Sequence, residues 1–466
     1  MISTGDSGGH GPSSGLERSI AILLRPFGSV KPSEVAVAIV MMSTAFLLLT
    51  GYYLLKTARE PMILLQGGAE VKQYAAAGQA LLLVAVVRGY SWLASRVGRT
   101  RLLATVFLFF ASNLVVFAAL AHAHVRIGVA FYLWVGVFNM TAVSQFWSLA
   151  ADVYTSEQGK RLFAVLGIGS SVGAVVGARI ARSLAPLGPP ALILGGAIAV
   201  LLCTATLAWV AARAGSPGAA PGEAHPEEPL EHDGVVQLLV RNRYLMLIAA
   251  LTLLLNWARS NGDYVLDRTL LTAVAEAKVK GIDAAVFVTR FKADYFEWVN
   301  LTGLVLQLFV VSRVMKGVGI TGALLVLPAV VFGEYSMYLV APILEALLFA
   351  KVAESAVEYS LQSTARQALF LNASREEKYV GKTVVDTVVV RAGDALTALL
   401  VLAGSRAALS PRAFAAFNMV LAGAWVVVVW AIARETQRRG RQDASAARDA
   451  PATGLEVATA TARTVE

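Results

Sequence analysis

The chain has 466 residues, 57% of them hydrophobic and only 15% charged, with a mean hydropathy of +0.63. Soluble domains carry roughly 25% charged residues, so this composition excludes a soluble protein and describes one built into a bilayer. The net charge of +9 is set in short clusters between apolar runs, a pattern of membrane topology that argues against nucleic acid as a partner.

Residues 1–30 open with "MISTGDSGGHGPSSGLERS", polar and glycine-rich, without a short apolar core leading to a small-residue cleavage site. They are expected to be a disordered tail and not a signal peptide. A spanning helix needs roughly 20 mostly apolar residues, because its backbone must satisfy itself where there is no water. Twelve such runs follow, near 33–60, 72–94, 101–122, 127–154, 160–185, 190–212, 243–271, 288–312, 319–341, 342–371, 380–407 and 411–434. The expected fold class is an all-α membrane protein of about twelve transmembrane helices in two six-helix pseudo-repeats. The first bundle covers 31–212, a Pro/Gly/Glu-rich cytoplasmic linker 213–240, the second bundle 241–436, and a disordered tail 437–466. Basic clusters at Arg18, Arg25 and Lys31, at Arg96, Arg99 and Arg101, at Lys160 and Arg161, at Arg313 and Lys316, and at Arg434, Arg438, Arg439 and Arg441 all fall on one side. The positive-inside bias puts that side, and both termini, in the cytoplasm of a bacterial-type cytoplasmic membrane.

The halves look duplicated. "WLASRVGRTRLL" (92–103) and "VVSRVMKGVGI" (310–320) share Ser-Arg-Val after the second helix of each half. In "AADVYTSEQGKRLF" (150–163) and "TARQALFLNASREEKY" (364–379), Ser156 and Lys160 match Ser374 and Lys378. Such punctuation implies a parallel repeat. The first pair resembles the loop signature of the major facilitator superfamily, with Ser95 where an aspartate is usual.

A charge facing lipid near the bilayer centre costs on the order of 3 kcal/mol, so charges inside spans are expected to face a cavity, a partner or the interface. They are Lys56, Arg59 and Glu60 in helix 1, Arg88 in helix 2, Arg259 and Asp263 in helix 7, Glu334 in helix 9, Lys351, Glu354 and Glu358 in helix 10, and Lys382, Asp386, Arg391 and Asp394 in helix 11. Lys56, Arg59 and Glu60 share one helical face, and Lys56 is spaced to pair with Glu60. Arg259 and Asp263 repeat that interval in the second half, while Pro61 and Gly262 are expected to break their helices locally. Mixed cations and acids suit an anionic substrate. Lys56, Arg59, Arg259, Lys382 and Arg391 are the expected binding residues, with Glu60, Asp263, Glu354, Glu358 and Asp386 for charge pairing or coupling.

Other signals carry less. "GKT" at 381–383 lacks the upstream glycine and strand of a phosphate loop, and Gly167, Gly169, Gly173 and Gly177 have the spacing of close helix packing. His122 and His124 are expected at an interface, Cys203 in a core, and "NAS" at 372–374 on the cytoplasmic side. No catalytic constellation, metal motif or cofactor motif is found, so an enzyme is not expected.

The order "YYLLKTARE...GGAEVKQY", "FWSLAADVYTSEQGKRLFAVLGIGSSVG", "GKTVVDTVVVRAGD" resembles the nucleotide transporter family of plastids and intracellular bacteria, the ATP/ADP exchangers. Lys56, Ala58, Arg59 and Glu60 fit its helix 1 pattern with Lys and Arg exchanged. Phe146, Trp147, Lys160 and Arg161 are similar to its end of helix 4, and Gly381, Lys382, Asp386, Arg391 and Gly393 to its helix 11 motif. Two positions depart: "YLWVGVFNMTAVSQ" has no carboxylate where the family has an essential acid, and Asp394 replaces a lysine. The resemblance implies a secondary transporter exchanging nucleotides, or another phosphorylated organic anion, by rocker-switch alternating access; a monomer is expected. The competing expectations are a proton-coupled transporter of another metabolite or drug, with Glu354 or Glu358 as proton carrier, and a non-transporting membrane receptor or assembly partner.

Overall fold

The computed structural model describes residues 30–213, 242–371, 377 and 381–449. The expected N-terminal tail, most of the linker, Ser374, Lys378 and the glycosylation-like "NAS" lie outside the described residues. Twelve long helices are present among those described. They are α1 (35–67), α2 (69–94), α3 (Arg99–His122), α4 (Gly128–Val153), α5 (Ser156–Leu184), α6 (Gly188–Arg213), α7 (Arg243–Val279), α8 (284–318), α9 (320–340), α10 (344–369), α11 (382–406) and α12 (Pro411–Asp449).

Glycine sets two of the tightest reversals. Gly68 (φ +80°) separates α1 from α2, and Gly319 (φ +68°) separates α8 from α9. Both take the left-handed conformation that a side chain disfavours. Side-chain caps fix other starts: Thr155 accepts from the Gln158 amide, Asn242 from Leu245 and Asp283 from Val286.

Two expectations about helix 1 and helix 7 are corrected. α1 does not end near 60; it continues through Pro61 to 67, and Gly262 lies inside unbroken α7. A break at either point would strip backbone groups of partners inside the bilayer, so continuity wins. α12 likewise runs on to Asp449, into the stretch expected to be disordered. α7 and α10 are absent from the stretches apolar enough to read as spans by composition alone, because they carry the buried charges described below.

In the N-terminal half α1–α2 packs on α4, α5 and α6, and α3 on α6; in the C-terminal half α12 packs on α7 and α9, and α11 on α7. The halves meet where α5 faces α8 and where α1–α2 faces α7, α8 and α11. A small apolar cluster that includes Tyr53, Ala178, Phe296 and Val352 joins them. The junction is tight at one end only. The first turns of α2 bury Ala69, Lys72, Gln73 and Ala75, whereas none of residues 76–90 is buried. The halves are therefore closed at the Gly68 end and splay toward the side where α1 begins and α12 ends, here called the tail side.

The glycine run in α5 is a packing surface. A Cβ on Gly177 would stand 2.6 Å from the Thr50 carbonyl oxygen, and Gly169 and Gly173 press likewise on Met42 and Phe46 of α1. Thr50 Oγ1 donates to the Gly173 carbonyl at 3.1 Å across this contact. Gly167 faces open space. Gly173→Val is expected to destabilise the protein by about 1–3 kcal/mol through overpacking, whereas Gly167→Val leaves the melting temperature in detergent nearly unchanged.

Candidate functional site

Between the halves lies a cavity of about 290 Å³. α1 contributes Tyr52, Tyr53, Lys56, Arg59 and Glu60; α2 Lys72, Gln73 and Gln79; α4 Tyr132 and Asn139. The other half contributes Arg259, Ser260 and Asp263 from α7, Lys292, Tyr295 and Phe296 from α8, Tyr359 from α10, and Arg391 and Asp394 from α11. Six cations and three carboxylates thus line one space.

The sealed end is built from four buried charges. Lys72 Nζ donates to Glu60 Oε2 at 2.6 Å and to Asp267 Oδ2 at 2.7 Å, and Lys292 Nζ donates to Asp267 Oδ1 at 2.5 Å and stands 3.8 Å from Glu60. None of the four side chains is more than 10% exposed. Glu60 and Lys72 belong to the N-terminal half, Asp267 and Lys292 to the C-terminal half. The Gly68 reversal brings Lys72 back onto Glu60 only twelve residues along the chain. Nearby, Arg268 and Tyr264 donate to Glu70 at 2.8 and 3.0 Å, while Arg179–Glu297 and Arg182–Asp294 tie α5 to α8 at 2.9 and 2.6 Å. Among the described residues no ion pair crosses between the halves at the tail side.

Glu60 is therefore taken, and the expected Lys56–Glu60 pair does not form. Lys56 has no ion pair among the described residues. Its amine instead lies 4.3 Å from the Phe296 ring centroid and 5.1 Å from that of Tyr53, a cation held by aromatic faces. Arg59 sits over Tyr132 at 4.5 Å and donates one edge to Glu60 at 3.2 Å. Arg259 does not pair with Asp263 either; it donates to Asn256 at 2.9 Å and lies 3.5 Å from Glu358, the first residue of a π turn in α10. Asp263 faces Lys351 at 3.5 Å. Asp394 accepts from Ser260 at 2.8 Å, Asn256 at 3.0 Å and Arg391 at 3.2 Å, so it orients Arg391.

The structure brings together Lys56, Arg59, Glu60, Arg259, Asp263 and Arg391 at the cavity. Lys382 and Asp386 are not on its wall: they lie at the tail-side start of α11, where Asp386 is 3.7 Å from Arg366. Glu358 and Glu354 stand behind the wall. The family-like Phe146–Trp147 segment is also remote; Trp147 packs edge-on against Phe163, and Arg161 pairs with Glu34 at 2.9 Å. Sequence reasoning missed Lys72, Asp267 and Lys292. Asp267 continues the four-residue interval of Arg259 and Asp263, which is the signal that could have found it.

Removing one member of a buried charge network leaves the others uncompensated, at about 3–5 kcal/mol. Asp267→Asn is expected to loosen the sealed end. With Gln73→Cys as a reporter, labelling by an impermeant maleimide applied from the α1–α2 hairpin side should accelerate on adding Asp267→Asn; buried Cys203 gives little background.

No family model and no curated protein matches the chain. Solved structures do match. The nucleoside transporter NupG, in a mutant form, superposes with a TM-score of 0.63 at 9% identity, over 85% of this chain and 99% of that one. A bacterial homologue of the human lysosomal transporter Spinster, inward-facing and unoccupied, gives 0.53 at 13% identity, over 87% and 95%. A peptide transporter of the POT type in complex with sulfate gives 0.55 at 16% identity, over 87% and 95%. At these identities the likeness is one of fold, and the chain is an all-α, multi-pass membrane protein with the fold of major facilitator transporters.

Proposed function

We propose that the chain is a secondary transporter that exchanges phosphorylated organic anions of the nucleotide class by alternating access. The observation that carries this reading is that Lys56, which has no ion pair among the described residues, and Arg59, which gives one edge to Glu60, line the inter-half cavity while Glu60 also binds Lys72. A phosphate entering the cavity supplies an anion to Lys56 and to the remaining edge of Arg59. Arg59, with its planar fork, suits phosphate oxygens bidentately. Tyr52, Tyr53, Tyr132 and Tyr359 offer flat faces for a ring, with hydroxyls at hand for polar edges. The two departures from the exchanger pattern fit the same chemistry. α4 presents Tyr132 and Asn139 in place of an acid, so no carboxylate opposes the anion from that wall. Asp394 is bound by three donors and acts on Arg391.

The positive-inside bias supports a cytoplasmic tail side, and hence an inward-opening cavity sealed outward by the four-charge network. Rocking the halves apart separates Lys72 from Asp267 yet leaves Glu60–Lys72 and Asp267–Lys292 each within one half. No charge is stranded on opening. Exchange follows because an empty cavity leaves Lys56 without an anion, and Arg59 with only the shared Glu60, as the halves close around them.

In liposomes loaded with unlabelled ADP, the purified protein is expected to take up labelled ATP. Uptake driven by a pH gradient alone, with no need for internal nucleotide, would show a proton-coupled transporter instead. Loss of a charge-assisted hydrogen bond costs about 1.5–3 kcal/mol, so Arg59→Gln is expected to weaken ADP binding roughly ten- to hundred-fold. Unaltered binding by that variant would remove helix 1 from the site.

A further inference from the structure

The outward face of α12 changes character along its length. Val420, Val427, Arg434 and Arg441 recur every seventh residue and so stand nearly in one line, with Trp430 and Arg438 beside it. Val420, Val427 and Trp430 are 67%, 62% and 54% exposed, and all three arginines are exposed too. Up to Trp430 the line is apolar; beyond it the line is cationic. The opposite face is committed to the C-terminal half. Ile432 lies in its core, and Arg439 donates to Glu377 and Asn242 and stands 4.4 Å from the Tyr244 ring centroid.

Two tryptophans mark where the bilayer surface crosses. The Arg434 guanidinium lies 3.3 Å from the Trp430 ring centroid, and that of Arg96 lies 4.2 Å from Trp92 at the tail-side end of α2. An exposed Trp with an arginine laid over its ring suits the headgroup level, where the ring straddles the boundary and the guanidinium reaches water. Beyond this level the two helices differ. α2 ends at Ala94, whereas α12 runs on to Asp449. At 1.5 Å per residue this places Arg438 about 6 Å and Arg441 about 10 Å past Arg434, through a headgroup layer roughly 5–8 Å thick.

The local charge is unbalanced. Glu435, its side chain 10% exposed, lies 3.8 Å from Arg438 and 3.8 Å from Arg243 of α7. Neither Arg434 nor Arg441 has an ion pair among the described residues. Arg434, Gln437, Arg438, Arg441 and Gln442 line a cleft of about 430 Å³.

We propose that this cleft binds an anionic phospholipid of the tail-side leaflet, its phosphate held by Arg434, Arg438 and Arg441 and its acyl chains lying along Val427 and Val420. Guanidinium forks hold phosphate oxygens bidentately. A soluble anion would use the arginines but leave the apolar half of the line without a role. A zwitterionic lipid would use the apolar half but bring a cation of its own to a cationic cleft. The site lies outside the inter-half cavity and does not rest on the nucleotide reading.

Native mass spectrometry of the delipidated full chain in detergent, titrated with phosphatidylglycerol or with phosphatidylcholine of the same acyl chains, tests the site. The wild type should bind phosphatidylglycerol the more tightly. A basic residue at a membrane surface is worth about fivefold in affinity, so Arg434→Gln with Arg441→Gln should weaken phosphatidylglycerol binding about twentyfold. Phosphatidylcholine binding should not change in this variant, which keeps Arg438 beside Glu435. Arg96→Gln, which removes the matching stack on α2, should alter neither lipid, and inorganic phosphate should not displace the bound phosphatidylglycerol. Equal affinity of the wild type for both lipids, or an unaffected double variant, overturns the site. An equal loss in Arg96→Gln would show diffuse surface charge, and displacement by phosphate a site for a free anion; either overturns the lipid assignment. If the double variant fails to fold, Arg441→Gln decides alone, with about a fivefold loss expected.

Discussion

The buried square of Glu60, Lys72, Asp267 and Lys292 is the constraint on which the arrangement of the two halves depends. Two acids and two lysines, all nearly inaccessible, lie where isolated ions would be expelled by solvation cost. They persist because each lysine meets an acid at 2.5–2.7 Å and because two of the four come from each half. Local geometry makes this possible: the Gly68 reversal returns α2 along α1, and the Asp283 cap starts α8 early enough to place Lys292 two turns inside it. The square closes one end of the molecule and leaves the cavity beneath it with an excess of cations.

Magnitudes decide which cross-half contacts matter. Arg179, 64% exposed, and Arg182, 47% exposed, form pairs of the kind that contribute about 0–1 kcal/mol. The square is shielded from water and salt, so its geometry governs the closed end. It also explains the placement of Lys56, whose amine lies against aromatic faces and not against an acid. A cation held this way keeps its capacity for an incoming anion, whereas Lys72 and Lys292 are already spent on the seal.

Much of the fold was legible because bilayer physics leaves few options. Hydrophobic runs of spanning length marked the helices, α7 and α10 less sharply because of the charges they carry, and Gly169, Gly173 and Gly177 of α5 were recognisable as a packing face from their four-residue spacing. The cavity was half legible. Lys56, Arg59, Arg259 and Asp263 were found because a charge deep in an apolar run demands a reason. Their partners were not, since i, i+4 spacing describes only one helix, and the true partners of Glu60 and Asp263 arrive from α2 and α10. Lys72 and Lys292 lay at expected helix ends, where a lysine is ordinarily read as reaching for the interface. Lys382 and Asp386 show the converse: a family-like motif, intact in sequence, that sits at the mouth of the tail side and away from the cavity wall.

The central claim is that the cavity selects its ligand by phosphate charge, with the aromatic walls secondary. Equilibrium binding of adenosine, AMP and ADP to the purified protein addresses it most directly, since the ring is constant and only the charge varies. Affinity should rise from adenosine to AMP to ADP, by roughly tenfold or more for the first phosphate given about 1.5–3 kcal/mol per charge-assisted bond. Adenosine binding as tightly as ADP would contradict it, and would make the aromatic faces, not Lys56 and Arg59, the basis of recognition.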